Sequence, residues 1–442
     1  MTAGETRVPA ARLIVAAVAA VAGVAILLLT RRFNFYFDEW DFILAAPNWS
    51  FVSYLQPHNE HPVMIPRLIY AALLNTFGLR TYLPSMAVLL LLHGVNVVLL
   101  FELVRRRSGD VIGLGAAALL LLLGAGWENL LWAFQMTFVG SVACGLGALL
   151  MLERPRSRAS LGAAAGLTTA SVMFSGIGLF FLVAAGVYLA VQKERWRDLS
   201  WLAPVAVAIG AWYLMFGRGG APANPPASLH NLVLAPGYLV WGLGEAAAGV
   251  IGEGGWWGPP ALAVAVGLVA WSWRRRRPDA FALSVLAAMV SMYLVTGLTR
   301  AQFGFDQSGA GRYVYEGAIF WLLLLSDAAR DLPWRGTWRP ALIACLFLVC
   351  FNSAALLFEF GAAKSFQMQR EGADLQALDA ARNDPCLKPA GSPDPLVMAQ
   401  ITSPRLYYRA VDLYGDPAPP LPVTDAADYA AALANMYRTG CR

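Results

Sequence analysis

The chain has 442 residues, of which 58% are hydrophobic and only 14% charged, with a formal net charge of +5. Soluble domains carry roughly 25% charged residues, so this composition excludes an ordinary soluble enzyme. The positive excess falls in short segments between apolar runs, which marks membrane topology and does not point to nucleic acid.

A helix needs roughly 20 apolar residues to cross a bilayer, and only helices or closed barrels satisfy their own backbone there. The first run, about 11–30, is followed by Thr30-Arg31-Arg32, a poor cleavage site, so it is expected to stay as a first span. Ten more spans are expected, at about 82–104, 110–126, 136–153, 159–174, 176–192, 199–216, 256–273, 280–298, 312–327 and 340–359. Alternate connections are basic: Arg105 to Arg107, then Arg154, Arg156 and Arg158, then Lys193, Arg195 and Arg197, then Arg274 to Arg277. The positive-inside rule puts these and the N-terminus in the cytoplasm, and the C-terminus outside. The expected fold is therefore an all-α polytopic membrane helical bundle in the inner (plasma) membrane.

Three outer segments are longer than turns. The first, 31–81, is rich in aromatics, carboxylates and His, and Pro66 to Phe77 has the apolar spacing of an interfacial helix. The second, 217–255, opens with a Gly/Pro-rich loop. Its apolar part, 236–252, is expected to be interfacial or re-entrant, because a twelfth span would send Arg274 to Arg277 outside. The third is the tail. The chain thus divides into a membrane domain, 1–359, and a small extracytoplasmic domain, 360–442. Cys386 and Cys441 lie in that tail, on the oxidising side, where a disulfide is expected.

Polar residues gather at the outer edge. Phe37-Asp38-Glu39-Trp40-Asp41 follows the first span, and on a helix Asp38 and Asp41 share a face while Glu39 points elsewhere. His58-Asn59-Glu60-His61 and Arg67 follow. Between the third and fourth spans Glu128 and Gln135 lie about two helical turns apart. Arg300, Arg312 and Tyr313 put basic residues where few are expected, and an Arg kept there pairs with an acid or binds an anion such as phosphate. Carboxylates among aromatics at a membrane edge are costly to desolvate, and raised proton affinity suits a general base.

The acidic pair Asp38-Glu39 just after the first span resembles that of the GT-C superfamily of integral membrane glycosyltransferases. That superfamily includes protein O-mannosyltransferases, aminoarabinose transferases and arabinofuranosyltransferases. His61 to Arg67, running into Phe77 to Ser85, is similar to their juxtamembrane helix, and Arg300 to Tyr313 is similar to an Arg-Tyr element in bacterial members. The resemblance implies an inverting transferase that takes a sugar from a polyprenyl-phosphate donor. The acceptor would be a cell-envelope glycan, lipid or protein at the periplasmic face. It implies Asp38 and Glu39 as catalytic residues, Asp38 being the base. Glu60, His61, Arg67, Glu128, Gln135 and Tyr313 are expected to bind substrate, and Arg300 and Arg312 to hold the donor phosphate. No cofactor is expected: the chain lacks a second Asp-x-Asp motif, and any divalent metal would sit near Asp38. The alternative is a transporter or lipid flippase. That reading favours acids and broken helices near the midplane and an inverted repeat, whereas the polar residues here gather at one edge.

Overall fold

The computed structural model describes residues 8–219, 228–332 and 338–441; the Gly/Pro-rich loop beyond Gly219 lies outside them. Helix α1 (Ala11–Leu29) is followed by a juxtamembrane group: α2 (Asp38–Ala45), α3 (Phe51–Leu55), a hairpin of β1 (Pro57–His58) and β2 (His61–Pro62), and α4 (Met64–Phe77). Then come α5 (Leu83–Ser108), α6 (Asp110–Leu121), the short α7 (Glu128–Leu131), α8 (Met136–Leu152), α9 (Arg158–Phe174), α10 (Gly178–Val191) and α11 (Ala203–Met215). The chain continues with α12 (Leu229–Gly249), α13 (Gly258–Arg275), α14 (Ala280–Arg300), α15 (Gly311–Ala328) and α16 (Trp338–Ala380). It closes with α17 (Pro404–Tyr414) and α18 (Ala426–Met436). Among the described residues, seven helical stretches are long and apolar enough to cross a membrane, and shorter apolar helices accompany them. The protein is a multi-pass membrane protein, and every expected span falls on a helix.

Ion pairs sort the helix ends. Arg107 bonds Glu153 at 3.2 Å and Asp279 at 2.6 Å, and Arg105 bonds Asp110 at 2.9 Å. Arg276 donates to the Asp327 carbonyl at 2.8 Å, and Arg330 to Ser108 Oγ at 3.1 Å. One basic layer therefore joins the ends of α5, α8, α13 and α15 to the starts of α6 and α14. The opposite ends carry the juxtamembrane group.

Helix α12 is 21 residues long but starts and finishes on that opposite side. Near its start Asn231 donates to the Leu298 carbonyl and accepts from the Gln302 amide, at the far end of α14. At its finish a Cβ on Gly249 would lie 2.4 Å from Val314, at the far start of α15. Between these ends it reaches further in, where the Leu243 carbonyl accepts from Trp321 Nε1 at 3.0 Å, and it is one of the seven helices long and apolar enough to cross a membrane; Arg276 stays in the basic layer.

Two elements depart from the expected boundaries. Helix α6 stops at Leu121, where a span to about 126 was expected, because α16 crosses there. A Cβ on Gly124 would meet the Ser353 carbonyl oxygen at 2.1 Å, and the Gly124 amide donates to Ser353 Oγ at 2.9 Å. Ending a helix leaves carbonyls free, and His93 Nε2 lies 3.3 Å from the Leu121 oxygen. Helix α16 runs for 43 residues, so the boundary at 359 falls inside it. At 1.5 Å per residue it is ~65 Å long, about twice the hydrocarbon thickness, and its last third is buried against the tail, where Gln376 Nε2 donates to the Pro419 carbonyl at 3.0 Å.

The tail packs back on the juxtamembrane group. Tyr407 of α17 lies 5.7 Å from the Trp40 ring, and the Leu79 amide donates to the Tyr414 carbonyl at 2.8 Å. Arg370 of α16 pairs with Asp428 of α18, and Cys386 is joined to Cys441.

Candidate active site

Acids are favourable in the first turn of a helix, where the backbone N–H groups point outward, and α2 opens with Asp38, Glu39 and Asp41. The residue before it, Phe37, has φ +48° and ψ −120°. That conformation is strained for a bulky side chain. Aromatic packing holds it: Phe37 lies 5.6 Å from the Tyr36 ring and 6.5 Å from Trp132. The sharp turn sends Trp40 into the core and leaves Asp38 and Asp41 on the wall of a cavity of about 970 Å³.

The hairpin brings His58 to the same place. Its Nε2 lies 3.7 Å from Asp38 Oδ2, and its ring packs edge-on against Phe42 and Phe134. Ligand atoms of Asp38, Asp41 and His58 all lie within 4.8 Å of one another. Two carboxylate oxygens and one imidazole nitrogen suit a divalent cation such as Mn²⁺ or Zn²⁺, so these residues could hold one. Asp41 keeps solvent access at the rim, yet the surrounding protein strips enough hydration to push its carboxyl up to about 6.

His61, paired with His58 in the hairpin register, also borders the cavity. Burial holds its imidazole down to about 4, so it is neutral at pH 7. A Cβ on Gly176 would come within 2.5 Å of His61 Nδ1, which explains a glycine in the turn between α9 and α10.

The far wall is basic. Arg300, Arg312 and Tyr313 line it, with Gln135 and Thr137 from the segment entering α8. Each arginine has a carboxylate partner: Arg300 bonds Glu60, and Arg312 Nη1 donates to Glu128 Oε2 at 3.0 Å. The tail closes the top with Ala399, Gln400, Thr402 and Leu406.

Of the residues singled out from sequence, Asp38, His61, Gln135, Arg300, Arg312 and Tyr313 meet at this cavity. Glu60 and Glu128 stand behind it as partners of the arginines. Glu39 is elsewhere, with no solvent exposure. It accepts from the Tyr36 amide at 2.7 Å, Tyr70 at 2.6 Å and Tyr82 at 3.1 Å, and burial pushes its carboxyl up to about 8. It anchors α2 to α4 and α5, because residue 39 is turned about 100° from residue 38 on the helix. Arg67 also faces away from the cavity. It donates to the carbonyls of Ser53, Gln56 and Pro57, bracing the turn that leads into the hairpin.

Asp41, His58, Trp132, Thr137 and Gln400 border the cavity without having been singled out as site residues. The Asp38–Asp41 spacing and the histidine-rich loop carried a signal for the first two. No local pattern marks the others.

No family profile and no curated protein matches the sequence. The fold is similar to the crystal structure of ArnT from Cupriavidus metallidurans bound to undecaprenyl phosphate, with a TM-score of 0.56 and 15% identity. That likeness covers 85% of this chain and 81% of that one. The apo state of the same protein superposes with a TM-score of 0.54, covering 85% and 80%. The chain therefore shares the helical membrane fold of ArnT, the kind of fold that its resemblance to the GT-C superfamily led us to expect.

Proposed function

We propose that the chain is an inverting glycosyltransferase that moves a sugar from a polyprenyl-phosphate donor to a cell-envelope acceptor at the periplasmic face. The observation that carries this reading is one cavity at the membrane edge with carboxylates at one end and two arginines at the other. The fold adds support, since a structural neighbour was crystallised with undecaprenyl phosphate.

Arg300 and Arg312 bind the donor phosphate and hold its charge as it leaves; fixed cations in a site shielded from bulk water stabilise developing charge far better than solvent does. Asp38 takes the proton from the acceptor hydroxyl. The acceptor oxygen attacks the anomeric carbon from the face opposite the phosphate. The bond from that carbon to the phosphate oxygen breaks, and polyprenyl phosphate leaves with the electron pair. A single displacement of this kind inverts the anomeric centre. His58 Nε2 stands 3.7 Å from Asp38 Oδ2 and helps to orient that carboxylate. A divalent ion held by Asp38, Asp41 and His58 would add Lewis-acid stabilisation of negative charge. The isoprenoid tail stays in lipid, where an apolar groove of about 210 Å³ lined by Pro62, Met64, Val172 and Trp212 adjoins the hairpin.

The test is transfer by purified protein from a panel of polyprenyl-phosphate sugars, with release of polyprenyl phosphate as the readout. Asp38→Asn should lower kcat by about 10²-fold or more without loss of folded protein. Full activity in that variant would remove Asp38 from its role. Movement of lipid across liposomes without turnover would replace the enzyme with a transporter.

A further inference from the structure

We propose that a second cavity, between the end of α1, the later part of α16 and the tail, binds the phosphate of an anionic phospholipid. The site is separate from the one described above, and the proposal does not depend on the glycosyltransferase reading.

The cavity is built where two helices meet. A Cβ on Gly361 of α16 would lie 2.8 Å from Leu29 Cδ2, so α1 and α16 are in close contact there. Just past that contact, Arg31 and Arg32 on one side and Met368 and Gln369 on the other line a cavity of about 710 Å³. Pro419 and Thr424 of the tail complete its wall. The tail is fastened in place here: the Pro417 carbonyl accepts from Asn34 Nδ2 at 3.2 Å, and Thr424 Oγ1 donates to the Gln369 carbonyl at 2.9 Å. An arginine that only snorkels from a bare helix end has no such enclosure.

The charge in the cavity is all of one sign. Helix α1 starts at the basic layer, where Arg12 pairs with Glu102, so Arg31 and Arg32 lie on the juxtamembrane side. Both are exposed residues that border the cavity, so a ligand in it can reach them. Neither guanidinium has an ion-pair or hydrogen-bond partner among the described residues, and no Asp or Glu is among those that line the cavity. Acids close by in the tail are engaged elsewhere: Asp425 accepts from the Ala427 and Asp428 amides, and Asp428 pairs with Arg370. Two adjacent guanidiniums without a counter-charge favour an anion, and their paired N–H groups match phosphate oxygens. The Gln369 side-chain amide can donate to a further oxygen.

The apolar side of the cavity identifies the phosphate as the head of a lipid. Leu28 lines the cavity and is 60% exposed. Val24 and Val21 follow on the same face of α1 and are 57% and 70% exposed. This stripe gives one acyl chain a continuous apolar track along a helix apolar enough to cross a membrane. The lack of a lining carboxylate then selects among headgroups. The ammonium of a zwitterionic head would find no partner and would face two arginines, whereas an anionic head such as that of phosphatidylglycerol would not.

Native mass spectrometry of the full-length protein, titrated with single lipids, tests this. Phosphatidylglycerol should bind about tenfold more tightly than phosphatidylethanolamine. The double substitution Arg31→Gln with Arg32→Gln should abolish that preference. Gln369→Glu should do the same, because it keeps the shape of the side chain and adds a carboxylate to the wall. It also decides the matter if the arginine variant does not fold. Equal binding of the two lipids by wild type, or a preference that survives in Gln369→Glu, would overturn the proposal.

Two further titrations separate the sources of phosphate. Polyprenyl phosphate should bind the variants as it binds wild type; an equal loss would assign Arg31 and Arg32 to that lipid and overturn a separate site. Inorganic phosphate should not show a dependence on these arginines. If it does while phosphatidylglycerol shows no preference, the cavity takes soluble phosphate and the lipid assignment fails.

Discussion

Arg312 and Glu128 meet at the back of the cavity, where Glu128 Oε2 accepts from Arg312 Nη1 at 3.0 Å and from the Arg312 amide at 3.2 Å. The arginine proposed to hold a phosphate already has an anionic partner that an incoming phosphate must share. Removing that competing charge while keeping a hydrogen-bond acceptor should strengthen phosphate binding. We expect Glu128→Gln to lower the Kd for polyprenyl phosphate severalfold, where tenfold corresponds to about 1.4 kcal/mol. It should also lower the Tm, because Arg312 is left without its counter-ion. Calorimetric titration checks the first effect and thermal unfolding the second. Weaker lipid binding in this variant would mean that Glu128 orients Arg312 for the ligand and does not compete with it.

Asp41 shares its helix face with Asp38 and sits against the same histidine. Its carboxyl is raised to about 6, chiefly by burial. Below that pH it takes up a proton, and the cavity loses one of its two carboxylates. The value of kcat/KM should therefore fall below pH 6, by up to tenfold per unit where this group alone governs the limb. Asp41→Asn should be slower throughout and lack the limb near 6. A limb that persists unchanged in Asp41→Asn would assign it to another group.

Glu39 supplies a stability test that does not depend on catalysis. Burial raises its carboxyl to about 8 in the folded chain, from the ordinary value of 4.5. The folded state thus binds a proton that the unfolded chain has already released. The resulting stabilisation is fully present below about 4.5 and is lost as pH rises through about 8. Wild-type Tm should decline from pH 5 to pH 9. Glu39→Gln stays neutral and can still accept from Tyr70 and Tyr82, so its Tm should decline less. Parallel curves for the two proteins would show that Glu39 is not the group responsible.

The disulfide Cys386–Cys441 closes a sequence separation of 55 residues in the tail. Loop-closure entropy assigns such a bond ~4 kcal/mol, with measured values of roughly 2–5 kcal/mol on removal from small domains. Cys386→Ser should make the tail cleavable by protease while the helical bundle persists. Because Gln400, Thr402 and Leu406 line the cavity, transfer should weaken with it, most visibly in KM. Unchanged protease resistance would mean that packing of Tyr407 on Trp40 holds the tail without the disulfide.

Much of the site could be read along the chain because its signals are local. The pair Asp38 and Asp41 is three residues apart on a helix, and that spacing alone gives them one face. The same angle turns Glu39 inward, so the residue beside Asp38 became an anchor for Tyr70 and Tyr82. Arg67 was expected to bind substrate, but a buried guanidinium is equally satisfied by backbone carbonyls, and which it meets depends on where the hairpin turns. Arg300 and Arg312 stood out because the positive-inside rule leaves few cations on that side. Their partners Glu60 and Glu128 lie 240 and 184 residues away along the chain, beyond any local pattern.

Composition and periodicity were enough for the bundle, the sorting of its basic helix ends to one side and the edge at which the polar residues collect. Those properties follow from transfer of each segment between water and lipid, which every helix obeys largely by itself. The cavity is different in kind. It exists only where α2, the hairpin, the segment entering α8, the start of α15 and the tail converge, and its shape is a sum of packing contacts between distant residues. The pairing of Arg300 with Glu60 and of Arg312 with Glu128 has meaning only there, since a charged side chain is free or engaged according to its neighbours in space.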